Sequence, residues 1–72
     1  PMSLGEWVRL RRAAANITQR ELAQRLDIDQ SQISKMERGV TRLLPPIEEA
    51  RALAEALGTT VEDLTRSLGY TS

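Results

Sequence analysis

The sequence predicts an all-α domain of five short helices, and three observations carry that reading. Helix-start signals recur along its length. Ser3-Leu4-Gly5-Glu6, Thr18-Gln19-Arg20-Glu21, Asp29-Gln30-Ser31-Gln32 and Thr60-Val61-Glu62-Asp63 all match or approximate a capping box. In that motif an N-cap oxygen accepts from the amide three residues on, and the acid or amide there reaches back. Stop signals follow at the right distances: Asn16, Gly39, Gly58 and Gly69 can each take the left-handed conformation that ends a helix. No segment alternates with period two and β-branched residues are sparse, so strands are not expected.

The first helix, near residues 4–15, has a core stripe of Leu4, Val8 and Ala15, with Trp7, Leu10 and Ala14 to one side. The second and third, near 18–26 and 30–38, each have one apolar face, Leu22 with Leu26 and Ile33 with Met36. Only Asp27-Ile28-Asp29 joins them, so Ile28, the one apolar residue of the turn, should plug the angle between them. Pro45-Pro46 suits the first turn of the fourth helix, near 46–57, where a missing N–H costs nothing. Ile47, Ala50, Leu53, Ala54 and Leu57 form its expected buried face. The fifth helix spans about 61–68 and must cover Leu64 and Leu68.

Composition narrows the function classes. A chain of 72 residues makes one domain, and at this size only ~60 % of the unfolded surface is buried. With no cysteine there is neither a disulfide framework nor a thiolate metal site. With no histidine the commonest general base and metal ligand are missing, so no catalytic residue, metal or cofactor is expected. No apolar run approaches a membrane span and no secretory leader pattern is visible, which reads as a soluble, cytoplasmic protein. Pro1 ahead of Met2 reads as an addition and stays out of the functional argument. The net charge is zero, yet residues 1–42 have eight Arg or Lys against five acids and residues 43–72 have two against five. A neutral chain with a basic half can face phosphates, although chance scatter gives the same pattern.

Two short helices joined by a three-residue turn have the geometry of a helix-turn-helix, here between Thr18 and Gly39. Ile17-Thr18-Gln19-Arg20-Glu21-Leu22-Ala23, then Ile28, then Ile33-Ser34-Lys35-Met36-Glu37-Arg38-Gly39 resembles the Cro/cI-type (XRE) family of helix-turn-helix proteins. The resemblance extends upstream to Leu4-Gly5-x-x-Val8-Arg9. Downstream it covers Leu53-Ala54-Glu55-Ala56-Leu57-Gly58 and Val61-Glu62-Asp63-Leu64. It implies a five-helix, lambda-repressor-like DNA-binding domain filling residues 1–72, usually dimeric and acting on operator DNA. Two departures stand out: Asp27 where the family has Gly in the turn, and a longer loop, Val40-Thr41-Arg42-Leu43-Leu44, ending in two leucines.

The resemblance also implies roles. Gln30, Ser31 and Lys35 on the outward face of the third helix would read bases, glutamine pairing with adenine and lysine with guanine. Asp29 is explained by capping alone. Gln19, at the start of the second helix, would hold a phosphate, as would Arg38, Arg42 and Arg20, which otherwise are solvated charges. Arg12 and Glu37 occupy positions of a buried structural ion pair. Leu43, Leu44, Leu64 and Leu68 are expected at the interface of a homodimer, because one domain reading ~4–5 base pairs has little specificity and two readers supply it. Trp7 and Leu10 either receive the fifth helix through Leu64, Leu68 or Tyr70, or form a patch for a partner protein.

The leading function is sequence-specific binding of double-stranded operator DNA in transcriptional control, as a repressor, with no membrane partner and no enzymatic activity. The alternative is a protein-interaction module that keeps the fold without reading DNA, as in antitoxin-like partner binding. An acidic outward face on the third helix would favour the alternative, and Gln30, Ser31 and Lys35 are neutral or basic.

Overall fold

The computed structural model describes residues 1–40 and 45–70, so Arg42, Leu43 and Leu44 lie outside the described residues. The described residues form five helices: α1 (Leu4–Ala15), α2 (Gln19–Leu26), α3 (Gln30–Glu37), α4 (Ile47–Ala56) and α5 (Val61–Ser67). No strand occurs among them. Nor, among them, is any helix long and apolar enough to cross a membrane.

Local chemistry sets where the helices begin. The boxes at Ser3/Glu6 and Thr18/Glu21 close in both directions. Thr60 closes half a box, accepting from the Asp63 amide, whereas Asp29 closes none and caps α3 by accepting from the Ser31 amide, two residues on; no side chain returns to either cap. Pro46 is the N-cap of α4 rather than its first residue; its carbonyl accepts from the Ala50 amide at 2.9 Å.

All five helices end in the same way. The residues that reverse the chain, Asn16, Asp27, Gly39, Gly58 and Gly69, have φ between 56° and 83°. Each N–H bonds a carbonyl three residues back, and the following N–H bonds one five back; Gly39 to Met36 and Val40 to Lys35 are typical. This Schellman arrangement satisfies carbonyls that a helix end would leave orphaned. Asp27 takes the turn glycine's place at φ 56°, a conformation aspartate tolerates better than most residues.

The core is built from Leu4, Trp7, Val8, Ile17, Leu22, Ala23, Ile33, Ala50, Leu53, Ala54, Leu57 and Leu64, with Leu26, Ile28, Met36 and Leu68 partly buried against it. α3 packs against both α1 and α2, while α4 bridges α2 and α5. Gly5 sets the first of these contacts. A Cβ there would lie 2.6 Å from the Met36 carbonyl oxygen and 2.7 Å from that of Glu37, so the backbones of α1 and α3 meet with no side chain between them.

Three expectations are corrected. Ile47 is 59 % exposed; it lies about 60° around α4 from Ala50, on the flank of the buried stripe rather than in it. Ala15, the last residue of α1, is exposed, and Ile17 beyond the turn is buried instead. Leu64 is fully buried in the core of its own chain, so its side chain is not available to a dimer interface.

Candidate nucleic-acid interface

The α2–turn–α3 unit runs from Thr18 to Gly39, with Asp27 reversing the chain and Ile28 partly buried in the angle. On α3, Ile33 and Glu37 face inward and are buried. At about 100° per residue, Ser31 and Lys35 fall on the opposite side, and both are exposed, as is Gln30 at the first position. Ser31 and Lys35 thus share the outward face, while Gln30, exposed at the start of the helix, lies about 100° around from Ser31; beyond the cap, Asp29, no acid is exposed on α3. Gln32 is also exposed, toward a shallow apolar groove lined by Leu26, Ile28, Met36 and Leu53.

The inner end of α3 is held by Glu37. Arg12 of α1 grips its carboxylate with two bonds, Nε to Oε2 at 2.6 Å and Nη2 to Oε1 at 3.0 Å. Gln19, the first residue of α2, donates its side-chain amide to the same Oε1 at 3.0 Å. Arg12 also donates to the Ile17 carbonyl at 3.0 Å, tying in the chain between α1 and α2. One carboxylate therefore joins three helices at the base of the outward face. Burial works to raise the Glu37 pKa, but the bonds from Arg12 and Gln19 and the nearby arginine charges outweigh it and hold the group below its ordinary value. The Arg12 guanidinium is raised in turn, chiefly by its bonds to Glu37.

Gln19 lies where the sequence put it, at the start of α2, with one amide hydrogen committed to Glu37 and the other remaining. The N–H groups of Gln19 and Arg20 precede the first bond of the helix, Leu22 to Thr18. Arg20 is exposed on that first turn and Arg38 is exposed at the C-cap of α3.

Sequence reasoning missed two features. Arg9 donates to the Glu37 backbone carbonyl at 2.9 Å. Asp63 of α5 gathers Trp7 Nε1 (3.2 Å), Arg11 Nε and Nη2 (3.1 and 2.6 Å) and Thr59 Oγ1 (3.2 Å), all on Oδ2. Burial works to raise the Asp63 pKa, and the bonds from Arg11, Trp7 and Thr59 outweigh it, leaving it lowered. The one available signal was that Asp63 is too short to close its box, which leaves its carboxylate free for other donors. Trp7 is buried and bonded to α5, so it is withdrawn from any patch for a partner protein, whereas Leu10 is 55 % exposed. Tyr70, a third candidate to meet Trp7, is largely exposed. Leu68 is half-buried against the core.

Among the described residues no group of carboxylates has a metal-holding arrangement.

A helix-turn-helix family model (HTH_3) matches residues 8–64. The DNA-binding domain of the P22 c2 repressor superposes with a TM-score of 0.79 at 32 % identity, over 88 % of this chain and 80 % of that one. The clp gene regulator ClgR of C. glutamicum superposes with a TM-score of 0.76 at 31 % identity, over 96 % of this chain and 88 % of that one. No curated protein matches the sequence significantly.

Proposed function

From a chain that belongs to the Cro/cI-type helix-turn-helix family of DNA-binding domains, not a family of enzymes, we propose a repressor that reads operator DNA as a homodimer in the cytoplasm. The observation that carries this is the exposure of α3, with Ser31 and Lys35 on its outward face and Gln30 at its first position, on a helix whose inner end is locked by Glu37. In this reading α3 enters the major groove N-terminus first, and those three side chains meet base edges. Gln19, Arg20, Arg38 and Arg42 hold phosphates on either side and fix the register. The P22 c2 repressor domain, a third identical, supports the repressor role by analogy.

For the dimer, Leu68 and the leucines Leu43 and Leu44 remain the proposed contact, now without Leu64. Two readers about one DNA turn apart make a two-fold operator.

The test is selection of bound sequences from a random DNA pool, followed by binding of variants to the selected operator. A pair of half-sites should emerge. Gln30→Ala should weaken operator binding by ~1–3 kcal/mol and relax preference at one base pair per half-site, with random DNA hardly affected. Enrichment of no sequence, with no binding of the parent above background, would sink this reading in favour of a protein-interaction module.

A further inference from the structure

We infer that Arg9 of α1 is a further phosphate-holding residue, sharing with Gln19 the phosphate at the start of α2. The inference rests on the DNA-binding reading above and adds a contact from outside the helix-turn-helix.

Three charged side chains meet at the end of α3, Arg9, Arg12 and Glu37, so the cluster keeps one positive charge. Arg12 takes both carboxylate oxygens and Gln19 shares one of them. Arg9 Nε stands 3.9 Å from Oε1, beyond hydrogen-bonding distance, with its side chain 61 % exposed against 19 % for Arg12. The surplus charge therefore sits on Arg9, in solvent.

Position follows from the same oxygen. Arg9 Nε lies 3.9 Å and Gln19 Nε2 lies 3.0 Å from Glu37 Oε1, so the two nitrogens are no farther apart than those distances together. A cation and an amide donor thus flank one carboxylate oxygen, the amide belonging to the residue that opens α2. A phosphate seated on Gln19 falls within reach of the guanidinium.

Order is supplied by the backbone. Arg9 Nη2 donates to the Glu37 carbonyl at 2.9 Å, a group at the end of α3 that the helix itself does not satisfy. That bond uses one of five guanidinium donors and holds the long side chain in place before any ligand arrives. The competing role is purely structural: Arg9 would complement the negative end of α3 and do nothing else. The two roles differ in what salt does to binding.

The experiment measures operator binding across a salt series for the parent, Arg9→Gln and Arg9→Lys, with thermal melting of each. Arg9→Gln retains a donor for the Glu37 carbonyl but not the charge. It should lower the magnitude of the salt slope by about 0.9, one phosphate's worth, on operator and random DNA alike. Arg9→Lys should restore most of the slope. A second measurement uses the parent protein, with the phosphate opposite Gln19 replaced by a neutral methylphosphonate. That replacement should cost the parent more than it costs Arg9→Gln. Slopes equal to the parent's in both variants, or a methylphosphonate loss unchanged by Arg9→Gln, would overturn the assignment and leave Arg9 a helix-end residue. A parent that binds no DNA overturns the DNA-binding reading itself, a different result from a parent that binds with an unaltered slope.

Discussion

Glu37 and Asp63 are two carboxylates gripped by neighbouring arginines of one helix, and they are built for different ends. Arg12 reaches to Glu37 at the end of α3, and Arg11 reaches to Asp63 near the start of α5. The Glu37 side chain is 4 % exposed, and both its oxygens are occupied. Asp63 is 23 % exposed and takes all its side-chain donors on one oxygen. The helix dipoles sharpen the contrast, since an acid is favoured in a first turn and disfavoured in a last one. Asp63 therefore suits its own helix and also ties α5 to α1. Glu37 works against its helix's dipole and is retained by what it connects, the ends of α1, α2 and α3. The difference teaches where precision is concentrated: the carboxylate behind the candidate reading face is buried with both oxygens bonded, while the one fastening α5 is open at one side.

The strongest way to break this comparison is Glu37→Ala. It leaves Arg12 facing a low-dielectric gap without its partner, a loss of ~3–5 kcal/mol for a buried pair. A domain of this size holds on the order of 4–11 kcal/mol in total, so thermal melting should fall by well over 10 °C. A parent-like melting curve would mean that the pair does not hold the helices together. Asp63→Asn should cost less, about 1 kcal/mol after allowing for solvent screening at a partly exposed pair. Its effect should be local: faster amide hydrogen exchange in α5 and a shift in Trp7 fluorescence, with α2 and α3 protected as before. Global loss of protection would put the two clusters in one cooperative unit.

Acid should sharpen the same contrast. Both carboxylates are held below their ordinary values of 4.5 and 3.8 in the folded chain. The unfolded chain therefore binds protons first as pH falls. The stabilisation is complete above the unfolded values and is lost as pH drops through the folded ones. Denaturant titrations at falling pH should show stability declining below about pH 5. Glu37→Gln should flatten that decline more than Asp63→Asn does, and the reverse order would invert the ranking of the two sites. The smallest effect sets the floor. Asp27→Gly lies in neither cluster and relieves a left-handed aspartate, so it should raise stability by ~0.5–1 kcal/mol. A loss on this substitution would mean that the Asp27 side chain has a role beyond the turn.

What the sequence made legible was the chemistry that acts within one turn. Ser3 with Glu6 and Thr18 with Glu21 are three residues apart, and the reversals at Asn16, Gly39, Gly58 and Gly69 act on carbonyls at most five back. Such contacts depend on spacing alone, so five helices could be placed from the residues. Arg12 with Glu37 crosses 25 positions and came from the family resemblance rather than from spacing. Contacts without that guide stayed hidden: Trp7 to Asp63 spans 56 positions and Arg9 to Glu37 spans 28. Nothing in Arg9, Arg11 and Arg12 distinguishes them as residue types; only the folded helix sends them to three different acceptors. Ile47 escaped for a related reason, since an apolar residue on the flank of a stripe looks the same in sequence as one at its centre.

The contact at Gly5 has a practical meaning for how such a domain can change. Because α1 and α3 touch backbone to backbone there, no rotamer adjustment can slide one along the other, and α3 rests against a hard stop. Its mounting is thereby independent of whatever residues stand on its far side. Gln30, Ser31, Gln32 and Lys35 can be exchanged as a set, like type in a fixed frame, and the new side chains will be presented at the same depth and angle as the old.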